Sequence, residues 1–97
     1  MKWTNDVSTV STAMAEAIRL GDVQEVGNLL ARGAPVRARG PGGATYLHLA
    51  AWAGTGTIAR LLLDYEAEAD AMDDAGRTAW DIAKAGRKEE VTRELAK

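Results

Sequence analysis

The sequence contains no cysteine and only one histidine among its 97 residues. Without cysteine the chain can form neither a disulfide framework nor a thiolate metal site. Its apolar runs are far shorter than the roughly 20 residues of a membrane-spanning helix, and residues 1–6 lack the apolar core of a secretory signal. The net charge of −2 gives no general attraction to nucleic acid or to an anionic membrane. We therefore expect one small, soluble, intracellular (cytoplasmic) domain with neither nucleic acid nor a membrane as its partner.

A repeat with a fixed period of about 33 residues runs through the chain. The stretch Gly43–Ala51 reads Gly-Ala-Thr-Tyr-Leu-His-Leu-Ala-Ala, and its glycine, threonine and apolar positions recur one period later. The later matches are Gly76, Thr78, Trp80, Ile82 and Ala83. The middle unit also has matches one period earlier, at Gly21, Leu29, Leu30, Ala34 and Ala38. A fixed period that keeps both apolar and glycine positions is typical of stacked-repeat proteins.

Apolar spacing divides each repeat into two short helices. Met14, Ala17 and Ile18 have the i, i+3, i+4 spacing of one helix face. Segments rich in glycine, proline or aspartate, 34–44 and 73–77, predict projecting turns between the units. The predicted helices are 12–20, Val23–Leu30, Thr45–Ala53, Thr57–Tyr65 and two within 78–97. Glu66 stands one repeat after Gly33, where a left-handed residue would end the helix, so we expect strain at Glu66.

The run 45–51, Thr-Tyr-Leu-His-Leu-Ala-Ala, resembles the ankyrin motif Thr-Pro-Leu-His-x-Ala. This resemblance implies an all-α ankyrin-repeat solenoid of stacked helix–turn–helix units with β-turn fingers. We expect about three repeats in a single domain over 1–97, with the terminal two acting as caps. The expected parts are an N-terminal extension over 1–11, a first repeat over 12–39, a second over 40–72 and a C-terminal capping repeat over 73–97.

The resemblance also assigns structural roles to the motif residues. It makes His48 a structural histidine that hydrogen-bonds backbone between adjacent loops, and Asp81 takes the same position in the next repeat. A catalytic histidine would need a nucleophile or an acid–base partner, and a metal site would need further ligands. Trp80 falls on a buried motif position and is expected in the core. The structural motif residues are Gly43, Thr45, His48, Gly54, Gly76 and Thr78.

Three motifs that would indicate an enzyme or a metal site fail on their spacing. The glycines of 40–43 are not followed by the lysine of a phosphate-binding loop. Gly54–Gly56 is too short for a dinucleotide fingerprint and lies between two helices. The acidic run from Asp64 to Asp74 lacks the spacing of a calcium loop, and we expect Arg37 to pair with Asp70 beside it. We therefore expect no catalytic residue, no cofactor, no bound metal and no enzymatic activity.

In ankyrin-type modules the partner is usually held by the finger tips and the inner face of the first helices. On this chain those positions include Trp52 with arginines around it, which is a composition typical of binding hot spots. The alternative is that Trp52 only packs on a finger or on Tyr46. The resemblance gives ten partner-binding residues, Arg19, Leu20, Arg39, Pro41, Ala44, Trp52, Ala53, Met72, Asp74 and Arg77.

Two functions of different classes follow. The first is a non-enzymatic protein–protein interaction module that binds another protein through its finger tips and concave helix face. The alternative is a homo-oligomeric structural or assembly protein, because small proteins often use apolar patches as interfaces. Its patch would consist of Trp3, Tyr46, Trp52 and Met72.

Overall fold

The computed structural model describes residues 7–96, and side chains from Thr12 onward. Within that range the regular structure is helical, and the one isolated β-bridge joins Arg39 to Thr45 in antiparallel fashion. The helices are α1 (Val7–Leu20), α2 (Val23–Ala31), α3 (Tyr46–Ala53), α4 (Gly56–Asp64), α5 (Ala79–Ala85) and α6 (Glu89–Leu95).

The six helices form three antiparallel pairs that stack side by side. α1, α3 and α5 contact one another in order along one layer, and α2, α4 and α6 do so along the other. Five of the six helices have nine residues or fewer, which is too short for stability in isolation, so each depends on the neighbouring repeat. The expected all-α stack of helix–turn–helix units is confirmed.

The core lies between the two layers and is built from aliphatic side chains at the repeat positions. Met14, Leu47, Ile58 and Leu62 are among the largest side chains that are fully buried. The layers meet at short turns, and Gly54 ends α3 in the left-handed conformation with φ of 77°. The outer surface of the first layer lies beside the loop that projects between the first two repeats.

Two details of the helical prediction are corrected. α1 begins at Val7 rather than near Thr12, because residues 7–11 continue the helix without carrying the apolar repeat. Trp80 is not in the core, since 38% of its surface is exposed. Its motif position is buried only where another repeat follows, and in the described part of the chain α5 is the last helix of its layer.

Two projecting loops, the first finger (32–45) and the second finger (65–78), lie side by side and are joined by hydrogen bonds. The Arg39 guanidinium donates to the carbonyl oxygens of Gly43 and Met72. The backbone N–H of Asp74 donates to the carbonyl oxygen of Gly42 at 2.9 Å. The fingers therefore form a single tied surface.

The expected ion pair between Arg37 and Asp70 is not present among the described residues. Arg37 Nε donates instead to the carbonyl oxygen of Glu66 at 3.0 Å. Glu66 has a left-handed backbone with φ of 71°, as its alignment with Gly33 predicts. The backbone carbonyl of this strained turn therefore accepts the Arg37 hydrogen bond that the sequence pattern assigned to the Asp70 carboxylate.

Replacing Glu66 with glycine is expected to stabilise the protein. Glycine adopts φ of 71° without the Cβ clash, so Glu66→Gly should raise the free energy of unfolding by about 1 kcal/mol, or Tm by roughly 4–8 °C. Thermal unfolding followed by circular dichroism measures this change. Glu68→Gly, in the same exposed loop, should give no increase, and an unchanged or lower Tm for Glu66→Gly would contradict the expectation.

Candidate functional site

His48 joins the start of α3 to the second finger. Its side chain is 1% exposed. Thr45 Oγ1 accepts from the His48 backbone N–H at 3.3 Å, and the Thr45 backbone N–H donates to His48 Nδ1 at 3.1 Å, which is a reciprocal capping arrangement. Because Nδ1 accepts, the hydrogen-bond pattern assigns the ring proton to Nε2, which donates to the Arg77 carbonyl oxygen at 2.8 Å. One buried ring thus fixes a helix end against a loop of the next repeat.

Asp73 organises the second finger around Arg77. Its Oδ1 accepts from the backbone N–H groups of Ala75 at 3.0 Å and Arg77 at 2.8 Å, and its Oδ2 accepts from Arg77 Nε at 3.0 Å. The backbone N–H of Arg77 is the main reason that the pKa of Asp73 lies below its ordinary value of 3.8. The carboxylate is therefore ionised at neutral pH and holds the Arg77 guanidinium in place.

Trp52 lies against this finger without being buried by it. The guanidinium carbon of Arg77 is 5.5 Å from the centroid of the Trp52 ring, which is a cation–π distance. The His48 ring centroid lies 6.4 Å from the Trp52 ring at an angle of 41°. Trp52 nevertheless remains 44% exposed. The tryptophan does pack on a finger, as the alternative interpretation expected, yet nearly half of its surface stays available.

Trp52 forms one side of a groove of about 320 Å³ on the outer surface of α1 and α3. The groove is lined by Ala15, Arg19, Leu49, Trp52 and Ala53. The alanines leave the space, and Arg19 brings the one charged group, which is paired with Glu16 one turn earlier on α1. We call this surface the Trp52 groove.

A smaller cavity of about 90 Å³ continues from the Trp52 groove toward the first finger and shares two of its lining residues, Ala15 and Leu49. The remaining lining residues belong mainly to the finger, and they are Ala38, Arg39, Gly40, Pro41, Ala44 and Tyr46. The inner helices and the first finger therefore present one continuous surface.

Six of the ten expected partner-binding residues line this continuous surface. Those in the Trp52 groove are Arg19, Trp52 and Ala53, and those in the smaller cavity are Arg39, Pro41 and Ala44. Leu20, Met72, Asp74 and Arg77 line neither cavity. Leu20 and Met72 are exposed at the end of α1 and on the second finger, Asp74 is bonded to the first finger through its backbone, and Arg77 supports Trp52.

Ala15 and Leu49 line the site although the sequence reasoning did not select them. Leu49 precedes Trp52 and Ala53 at i+3 and i+4 spacing, so helical periodicity alone would have placed the three on one face. Ala15 lies one repeat period before His48 and is only half-buried. The repeat period and the helical spacing therefore place both residues on the site, provided that the outer surface of the first layer is known to be exposed.

The residues expected to have structural roles lie at helix ends and finger turns. Gly43 and Gly76 have φ of 72° and 80° in the two fingers. Thr78 caps α5 as Thr45 caps α3: its Oγ1 accepts from the Asp81 backbone N–H, and its own N–H donates to Asp81 Oδ2 at 3.0 Å. Asp81 thus reproduces the helix-capping role of His48. Its side chain has no nitrogen, so it cannot donate a hydrogen bond to a following loop as His48 does.

The described part of the chain offers neither a metal site nor a membrane span. No group of three or more His, Asp or Glu side chains there could hold a metal ion. Within the same residues no helix has the length and apolar character needed to cross a bilayer.

The fold and the site define a class of protein: stacked helical repeats whose fingers and first helices form one open surface. The family model described as "Ankyrin repeats (many copies)" matches residues 29–83, which is more than half of the chain. The protein belongs to the ankyrin-repeat family. Ankyrin repeats are generally non-enzymatic modules that bind other proteins. No curated protein matches the chain.

Proposed function

We propose that this protein is a non-enzymatic interaction module that binds another protein, its primary binding site being the Trp52 groove. The observation that carries the proposal is the state of Trp52, which is 44% exposed and supported by Arg77. Tryptophan and arginine dominate the residues whose truncation weakens protein interfaces most. A cytoplasmic location is part of the proposal, and cell fractionation tests it.

The support beneath Trp52 favours binding because it reduces the cost of ordering the side chain. Arg77 is held by the Asp73 carboxylate at 3.0 Å, and its carbonyl is held by the buried His48 ring. A side chain already restricted in the free protein loses less conformational entropy when a partner covers it. Burial of the remaining Trp52 surface and of the adjacent Leu49 would then contribute to affinity.

The alternative of self-association through the predicted apolar patch loses one of its members. Tyr46 is 5% exposed, because it packs into the core at the first turn of α3. Trp3 lies outside the described residues. Trp52 and Met72 remain exposed, which makes the patch smaller than expected and favours an external partner for the Trp52 groove.

Trp52→Ala is expected to weaken partner binding at least about 30-fold, which corresponds to a hot-spot loss of roughly 2 kcal/mol. The fold should be retained, with Tm within a few degrees of wild type, because the lost cation–π contact is exposed and small. Calorimetric titration of the partner captured by the wild-type protein measures the affinity. Tyr65→Ala is the matched control, since Tyr65 is 42% exposed and lies outside the groove. Unchanged affinity for Trp52→Ala would refute the proposal.

A further inference from the structure

The exposed face of α5 occupies positions that are internal in the two preceding repeats. Met14 on α1 and Leu47 on α3 are 0% and 1% exposed, and each of these helices is in contact with a following helix of its layer. Trp80 is the equivalent residue on α5, one repeat period after Leu47, and is 38% exposed. Within the described residues, a large aromatic side chain therefore stands on a face of the stack that no further helix covers.

Around Trp80, charged residues stand at positions that are buried in the preceding repeat. His48 and Ala51 of α3 are buried, and the His48 ring bonds to Arg77 of the next repeat. Their equivalents on α5 are Asp81 and Lys84, and both are exposed. A solvent-exposed face does not require a tryptophan at its centre. A face that packs against a further repeat as part of the core would not carry two charged side chains.

α6 carries the same arrangement of charges on the same side. Gly56 of α4 is buried against Glu90 of α6, and Glu89 stands one repeat period after Gly56. Arg60 of α4 reaches across the repeat boundary to Glu94 at 3.5 Å, and Arg93 is its equivalent on α6. Glu89 and Arg93 are therefore at boundary-facing positions, and both are exposed.

Each of the two helices thus shows an acid followed by a base about one turn later. The pairs are Asp81 with Lys84 on α5, and Glu89 with Arg93 on α6. None of the four belongs to an ion pair within residues 12–96. When a helix of this pattern packs antiparallel against its own copy, each acid meets a base and each base meets an acid. The charges are therefore self-complementary under a two-fold axis.

We propose that this C-terminal end face, formed by Trp80, Asp81, Lys84, Glu89 and Arg93, docks on the same face of a second copy of the chain. The two-fold axis crosses the middle of α5 and α6, so each helix packs antiparallel on its copy. One such axis sets Asp81 against Lys84 of the second copy along α5, and Glu89 against Arg93 of the second copy along α6.

Sedimentation equilibrium of the purified chain from about 1 µM to about 1 mM tests the proposal. The wild type should show a concentration-dependent monomer–dimer equilibrium. Arg93→Glu sets glutamates against glutamates across the two-fold axis, and should raise the dimer Kd at least about tenfold. Adding Glu89→Arg to that variant restores opposite charges and should return the Kd to within about threefold of wild type. These residues are exposed, so circular dichroism should show an unchanged fold.

Trp52→Ala separates this interface from the Trp52 groove, and it should leave the dimer Kd unchanged. A wild-type monomer throughout the concentration range would overturn the proposal. So would a dimer that survives Arg93→Glu, or one that dissociates with Trp52→Ala. The first two results leave binding of another protein at the Trp52 groove untouched, because the two surfaces share no residue, whereas loss of the dimer with Trp52→Ala would place self-association in that groove.

Discussion

His48→Ala is expected to lower the free energy of unfolding by about 3 kcal/mol and Tm by roughly 10–20 °C. The ring is 1% exposed, and its removal leaves a cavity between α3 and the second finger. It also leaves the Thr45 backbone N–H without its acceptor and removes one of the two donors to the Arg77 carbonyl oxygen, which keeps the bond from the Asp73 N–H. Urea unfolding followed by far-UV circular dichroism measures the loss.

Asp81→Ala is the matched control, because Asp81 holds the same position in the next repeat. Asp81 is exposed, and its carboxylate accepts the Thr78 N–H at the start of α5. Its removal should cost about 1 kcal/mol or less. If the two variants lost the same stability, His48 would act only as a helix cap, and the bond to Arg77 would contribute nothing.

Gly43→Ala is expected to cost about 2–3 kcal/mol, through two effects that act together. The first is the left-handed backbone, with φ of 72°, which costs an alanine about 1 kcal/mol. The second is steric, because a Cβ at Gly43 would lie 3.0 Å from the backbone nitrogen of Asp74. The Asp74 side chain would have to move and the second finger would have to shift by a few tenths of an ångström, which weakens the bond from the Asp74 N–H to the Gly42 carbonyl. Thermal and urea unfolding both report the loss.

Gly76→Ala isolates the first effect from the second. Gly76 is the repeat equivalent of Gly43 and has φ of 80°, but no atom lies within 4 Å of the Cβ position. Its replacement should therefore cost only about 1 kcal/mol. Equal losses at the two glycines would contradict the close packing of the first finger on the second.

The repeat and its helices could be predicted from the sequence because they depend on local spacing. The position of Trp80 could not, since a motif position is buried only if another repeat covers it. The same limit applies to Tyr46. A tyrosine at the first helical position is compatible with either an exposed patch or a core contact, and the packing of α1 against α3 determines whether it is buried. The local sequence pattern shows which positions recur from repeat to repeat, whereas the burial of each position depends on the helices that pack against it.

The candidate site was predicted in part, and what was missed depends on distances between repeats. Helical spacing relates Leu49 to Trp52, but the groove also needs Ala15 from the preceding repeat. The support of Trp52 by Arg77 joins residues that are far apart in the sequence, and it depends on how Asp73 folds the second finger. The pairing of Arg37 failed for a related reason, because a backbone carbonyl at Glu66 lies closer to it than the carboxylate suggested by the repeat.

Quantitative affinity capture from a lysate of the source cells, with the wild type, Trp52→Ala and Tyr65→Ala as baits, is the most direct test of the Trp52 groove as a protein-binding site. The prediction is a protein retained equally by the wild type and by Tyr65→Ala and depleted at least about tenfold on Trp52→Ala. Equal recovery of every retained protein on all three baits would contradict a binding site at Trp52.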